Sequence, residues 1–220
     1  LHLSIRRQRQ MCIRDRSRHG PILLHVVTEK GKGHPFSKVS DEKYHAVSKF
    51  NVVTGNSIKS SSNIPTYTEV FADTLCNIAE DNEKIIAITA AMPEGTGIDL
   101  FKKEFPDKYL SVGIAEQNLI GIASGLSENG FYPVFSSFAS FLTGKYDVIR
   151  VSAAYSDATM LLVGTHAGLA IGKDGVTQMG LEDISLMRSM PNMKVYQPAT
   201  SNQAVQMMRE IVKTSGPSYL

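Results

Sequence analysis

Glu116 lies in Ser111-Val-Gly-Ile-Ala-Glu-Gln-Asn118, where the hydrophobic pattern changes period. Leu110 and Val112 read as buried strand positions, whereas Ala115, Leu119, Ile122, Ala123 and Leu126 recur at helical spacing. The repeat thus passes from two to about 3.6 residues at Gly113. A carboxylate at that junction stands outside the carboxyl end of a strand, where open α/β sheets bind ligands. It can act there as an acid–base group, or simply complement the dipole of the helix it opens. His166 follows a second apolar strand, Met160-Leu-Leu-Val-Gly164, in a comparable position. A lone His in such a position is usually structural or a surface residue.

The elements that must position these groups alternate regularly after Pro65. Thr66 to Asp81 is predicted helical, with Val70, Phe71, Leu75, Ile78 and Ala79 on one face. Cys76 falls on that face too and is expected in the core. Strands are predicted over 84–88, 109–112, 133–136, 160–164 and 193–196. Helices are predicted over 99–105, 115–129, 145–154, 181–190 and 201–213, and 217–220 reads as the opening of a further strand. Gly130 suits a left-handed position just past a helix. Strand and helix alternating through short connections predict an α/β fold, a parallel sheet flanked by helices on both faces. Upstream, Pro21-Ile-Leu-Leu-His-Val-Val27 reads as a buried strand leading into the glycine-bearing loop Thr28–Gly33, and 34–64 as a polar linker.

The 220 residues are 42% hydrophobic and 20% charged, with net charge +2. That balance gives no electrostatic case for nucleic acid or a membrane surface. No apolar run reaches the ~18 residues of a membrane span. Cys12 and Cys76 form neither a metal spacing nor a disulfide framework, which points to a reducing, cytoplasmic setting. Residues 1–19 are rich in Arg and lack a sustained amphipathic pattern; they read as a non-native or disordered edge rather than part of the fold.

A resemblance sharpens this reading. Gly113-Ile-Ala-Glu-Gln117, the stretch Lys84 to Gly97 and the linker Lys43-Tyr-His-Ala-Val-Ser-Lys-Phe50 together resemble the 1-deoxy-D-xylulose-5-phosphate synthase family. Phe138-Ala-Ser-Phe141, Gly164-Thr-His-Ala-Gly168, Gly172-Lys-Asp-Gly175 and Arg188-Ser-Met-Pro-Asn192 are more similar to transketolase, especially its separately encoded carboxyl-terminal subunits. Both are thiamine-diphosphate enzymes of one superfamily. The resemblance implies a thiamine-diphosphate-binding fold, with 65–220 a pyrimidine-binding domain truncated at its C-terminal end. Residues 20–33 would be the last strand and exit loop of a preceding diphosphate-binding domain, which would hold Mg²⁺. No metal ligand is expected in this chain.

The same resemblance assigns roles. Glu116 would be the catalytic carboxyl, hydrogen-bonded to the cofactor's aminopyrimidine and sharing a proton with its ring nitrogen. Phe138 and Phe141 would pack on that ring. His166, Lys30, His45, Asp174 and Gln178 would line the substrate site. Gln178 stands where both families usually carry His, and it cannot shuttle a proton near neutral pH. Asn118 likewise replaces a His of the synthase pattern, and Gly144 a phosphate-binding Arg. His166 follows transketolase where the synthase has Arg. The implied reaction condenses pyruvate with glyceraldehyde 3-phosphate; the alternative transfers a two-carbon ketol unit between sugar phosphates. Substrates would accordingly be a sugar phosphate with a 2-keto acid or ketose, and the intact protein a homodimer. A non-catalytic interaction module with this fold is the reading from another class. An exposed docking face is expected around Phe138, Phe141, Leu142 and the helix Leu119 to Leu126.

Overall fold

The computed structural model describes residues 19–37, 49–58, 64–171 and 174–220. The chain divides into two units, Leu1–Ser60 and Ser61–Leu220.

In the first unit, Ser37 Oγ donates to the carbonyls of Gly31 (2.7 Å) and His34 (2.9 Å), closing a turn. Asn51 Oδ1 accepts from the amides of Val53 and Thr54, and an antiparallel bridge pairs Phe50 with Ser57. The strand expected over Pro21–Val27 is not seen: the run enters no ladder among the described residues, and Leu23 is 94% exposed. An apolar run becomes a buried strand only where a neighbour supplies its hydrogen bonds, and the described part of this unit offers none.

The second unit opens with α1 (Tyr67–Asp81). A capping box starts it: Thr66 Oγ1 accepts from the Glu69 amide while Glu69 Oε2 accepts from the Thr66 amide. Next come β1 (Ile85–Thr89), the short turn α2 (Pro93–Thr96), α3 (Ile98–Glu104) and β2 (Tyr109–Ser111). They are followed by α4 (Glu116–Glu128), β3 (Tyr132–Phe138), α5 (Ala139–Thr143) and α6 (Tyr146–Val148), which continues as a π-helix over Ile149–Tyr155. β4 (Met160–Thr165), α7 (Asp183–Arg188), β5 (Lys194–Val195), α8 (Ser201–Ile211) and β6 (Pro217–Tyr219) complete the unit. The strands form one sheet in the order β2-β1-β3-β4-β6-β5, and every pair is parallel.

Successive residues of the central strands enter different cores. Ile88, Phe135 and Leu162 pack with Leu119, Ile120, Ile149, Ala153 and Met187 on one face. Ala87, Val134 and Leu161 pack with Phe71, Leu75, Ile98, Phe101 and Met208 on the other. Such two-sided burial is what makes parallel strands read as continuous apolar runs. Cys76 belongs to the second core; burial, reinforced by Glu104, pushes its thiol up to about 12, so it stays a protonated packing group. Gly130 has φ +81 at the end of α4, as its position predicts.

Four expectations need correction. Leu110 and Val112 are only half-buried, because β2 is an edge strand with one neighbour. The single helix predicted over 145–154 is instead a short α-helical turn passing into a π-helix. The wider turn brings Ile149, Ala153 and Ala154 to the core together. α5 and the α2 turn fall where loops were expected. Finally, within the expected docking face Leu119, Ala123 and Leu142 are fully buried in the sheet's own core, whereas Phe138, Phe141, Ile122 and Leu126 stay half-buried.

Candidate functional site

The strand order sets the ends of β2, β1, β3 and β4 side by side. Glu116 follows β2, Gly95 follows β1, Phe138 ends β3 and His166 follows β4, so all four lie along one sheet edge. Gly113, at φ +78, turns the chain out of β2, and Glu116 becomes the first residue of α4. It is 8% exposed and forms no hydrogen bond or ion pair among the described residues. The unpaired amides at the start of the helix favour a carboxylate there. Its chemistry suits a ligand that brings its own donor.

Phe138 and Phe141 stack with centroids 5.5 Å apart and 13° between planes. The imidazole of His166 packs on Phe138 at 4.1 Å, tilted by 36°. Gly95 touches the same ring: a Cβ there would stand 3.1 Å from Phe138 Cε1. The hydroxyls of Ser137 and Ser140, beside Phe138, are buried without a partner among the described residues. The two rings form a flat apolar wall in a stretch of chain that also carries unpartnered hydroxyls, which fits a heteroaromatic ring.

His166 has φ +58, a left-handed conformation that costs a non-glycine residue on the order of 1–3 kcal/mol. Its surroundings hold it: the β3–β4 ladder ends at Phe138 and Thr165, an Ala167–Gly180 bridge follows, and the Gly168 amide donates to the Gly180 carbonyl at 2.8 Å. Its Nδ1 lies 3.1 Å from Thr165 Oγ1. Burial pushes its pKa below the ordinary 6.5, and the nearby Asp174 carboxylate opposes that shift.

Of the other candidates, Asp174 is exposed and Gln178 half-buried in a 3₁₀ turn, Val176–Gln178. Lys30 belongs to the first unit, on an exposed turn. His45 lies outside the described residues. Asn118 and Gly144 are exposed.

One constellation was not anticipated. Tyr219 Oη donates to Asp183 Oδ2 at 2.7 Å, and both residues are buried. Burial, then the hydrogen bond to Asp183, pushes the phenol pKa far upward. The ring lies against Gly164, where a Cβ would fall inside the phenol oxygen. Asp183 opens α7 and Tyr219 ends β6, and no local spacing links them. Both line a cavity of about 720 Å³ together with Gly95, Gly164 and His166. Among the described residues there is no metal-ligating cluster and no helix long and apolar enough to cross a membrane.

Residues 64–220 match the family described as "Transketolase, pyrimidine binding domain". The chain is 39% identical over 202 residues to a 1-deoxy-D-xylulose-5-phosphate synthase of Natranaerobius thermophilus, covering 92% of the chain and 32% of that protein. It is 43% identical to the like-named protein of Magnetococcus marinus, over 91% of the chain and 32% of the relative. The chain thus spans about a third of the length of these curated relatives. Among solved structures, "Split gene transketolase, inactive beta4 tetramer" superposes with a TM-score of 0.62 at 35% identity, over 70% of this chain and 50% of that one. Transketolase from Campylobacter jejuni has a TM-score of 0.65 at 23% identity, over 70% of this chain and 24% of its own, and speaks for the fold alone.

Proposed function

The chain belongs to the transketolase pyrimidine-binding domain family, and from that premise we propose that it is part of a thiamine-diphosphate-dependent transferase condensing pyruvate with glyceraldehyde 3-phosphate. The observation that carries the reading is Glu116, a largely buried residue whose carboxyl has no partner among the described residues, on the same sheet edge as the Phe138–Phe141 wall. Relatives of about this similarity over most of the chain are synthases by name, which supports the same choice.

When bound, thiamine diphosphate supplies the carbon nucleophile that no side chain here offers. The chain's own residues do the rest. Glu116 would hold the aminopyrimidine through its ring nitrogen, sharing a proton with it. Phe138 and Phe141 orient that ring and keep water from it. His166 offers a ring N–H to the substrate phosphate, and Asp174 and Gln178 hydrogen-bond substrate hydroxyls. Gln178 can orient but not move a proton near neutral pH. Mg²⁺ would be held by a preceding diphosphate-binding domain, with 34–64 as the linker from it. A homodimer in the cytoplasm belongs to the same proposal.

The assay uses the full-length protein with thiamine diphosphate, Mg²⁺ and glyceraldehyde 3-phosphate. Carbon dioxide release from pyruvate is the expected result. Ketol transfer from xylulose 5-phosphate instead would favour the transketolase reading, which His166 and the similarity to a split-gene transketolase support. Inertness toward both donors would leave a non-catalytic module.

Gly95 gives a second test. Gly95→Ala sets a methyl 3.1–3.2 Å from the Phe138 ring, which must yield by a few tenths of an ångström. The expected result is cofactor affinity weakened by about tenfold, equivalent to ~1.4 kcal/mol, with the fold unchanged. Titration calorimetry of the full-length protein checks it; unchanged affinity would show that Phe138 does not pack on the cofactor.

A further inference from the structure

We infer that the buried Asp183–Tyr219 pair is a positioning device for His166, and through it for the phosphate group of the substrate. This rests on the reading of His166 as a substrate contact. Gly164 lies two residues before His166, at the end of β4. With no side chain at Gly164, the Tyr219 ring can lie directly over the β4 backbone. Asp183 fixes the position of the ring's hydroxyl, accepting from it at 2.7 Å. The Gly164 amide donates to the Leu220 carbonyl, so the same strand end is gripped from β6 by backbone as well.

A turn that places a non-glycine residue at φ +58 needs such grip, because relaxation of the preceding backbone would release it toward ordinary φ. On the far side of His166, the bridge to Gly180 closes the clamp. That bridge is seated by contact of Gly180 with Ala139, where a Cβ would come within 2.5 Å of Ala139 Cβ. Asp183 follows Gly180 closely in sequence, so one segment fixes the His166 turn at both ends: Gly180 directly and Asp183 through Tyr219. The pair lines the same cavity as the imidazole.

The test uses full-length enzyme with thiamine diphosphate and Mg²⁺, measuring steady-state constants for glyceraldehyde 3-phosphate. Tyr219→Phe keeps the packing and removes the hydroxyl. The expected result is a KM raised about tenfold, with kcat and cofactor affinity within about threefold of the parent. Asp183→Asn, which keeps an acceptor, is expected to restore most of the affinity that Asp183→Ala loses. In His166→Ala/Tyr219→Phe the second change adds nothing, because Tyr219 acts through His166. Additive effects in that double variant, or equal losses in kcat and KM for Tyr219→Phe, would overturn the inference and leave a packing role. If His166→Ala alone leaves KM unchanged, the underlying assignment of His166 fails, and this inference falls with it.

Discussion

Glu116→Gln and Glu116→Ala are each expected to lower turnover of the full-length enzyme at least ~100-fold, the scale of losing a positioned acid–base group. Neither should harm the fold. The carboxyl forms no hydrogen bond or ion pair among the described residues, so its removal breaks no polar contact there. Stability should hold, since no hydrogen bond or ion pair of the described residues is lost. Gln is the more telling change. It keeps the shape and a hydrogen-bonding head but cannot share a proton with a ring nitrogen. Steady-state rates read together with thermal denaturation check both halves. Turnover within a few-fold of the parent would remove Glu116 from the chemistry, and a marked loss of stability would make it a folding residue.

Gly164→Ala is expected to destabilise the 220-residue chain by about 2–4 kcal/mol, combining overpacking with an orphaned buried carboxylate. The added Cβ would lie inside the Tyr219 oxygen and 2.7 Å from its Cζ. Tyr219 is fixed by the β6 ladder and buried, so it cannot swing into solvent. It must shift and release Asp183, which then stands buried without its partner. Gly121→Ala is the control. That site is exposed within α4 with nothing near a new Cβ, so the change should stabilise by up to ~1 kcal/mol through helix propensity. Urea denaturation compares the two, with a midpoint fall of about 1 M or more expected for Gly164→Ala and a small rise for Gly121→Ala. Equal midpoints would mean that Tyr219 packs more loosely against β4 than the structure has it.

Much of this fold was legible locally. The Thr66–Glu69 capping box, the period change at Gly113 and the left-handed Gly130 each depend on a few consecutive residues, so their sequence signals and their structures coincide. Errors arose where the deciding partner lies elsewhere in the chain. Pro21–Val27 has strand composition but no neighbour among the described residues of its unit. Leu110 and Val112 have strand spacing but sit at the sheet's edge. Leu142 and Leu119 read as surface apolar residues only while the sheet that covers them is out of view.

The candidate site divides in the same way. By itself the sequence determined that Glu116 opens a helix just past a strand and that His166 follows another, because hydrophobic period is a property of neighbouring residues. Only the tertiary structure decided that the ends of β2, β1, β3 and β4 adjoin, and that His166 lies on Phe138 at 4.1 Å. It alone joined Asp183 to Tyr219 across 36 residues, with Gly164 beneath the ring. The physical reason is that strand order and buried polar pairing are settled by which surfaces exclude water together. That is a property of the packed sheet and is carried by no short window of the chain.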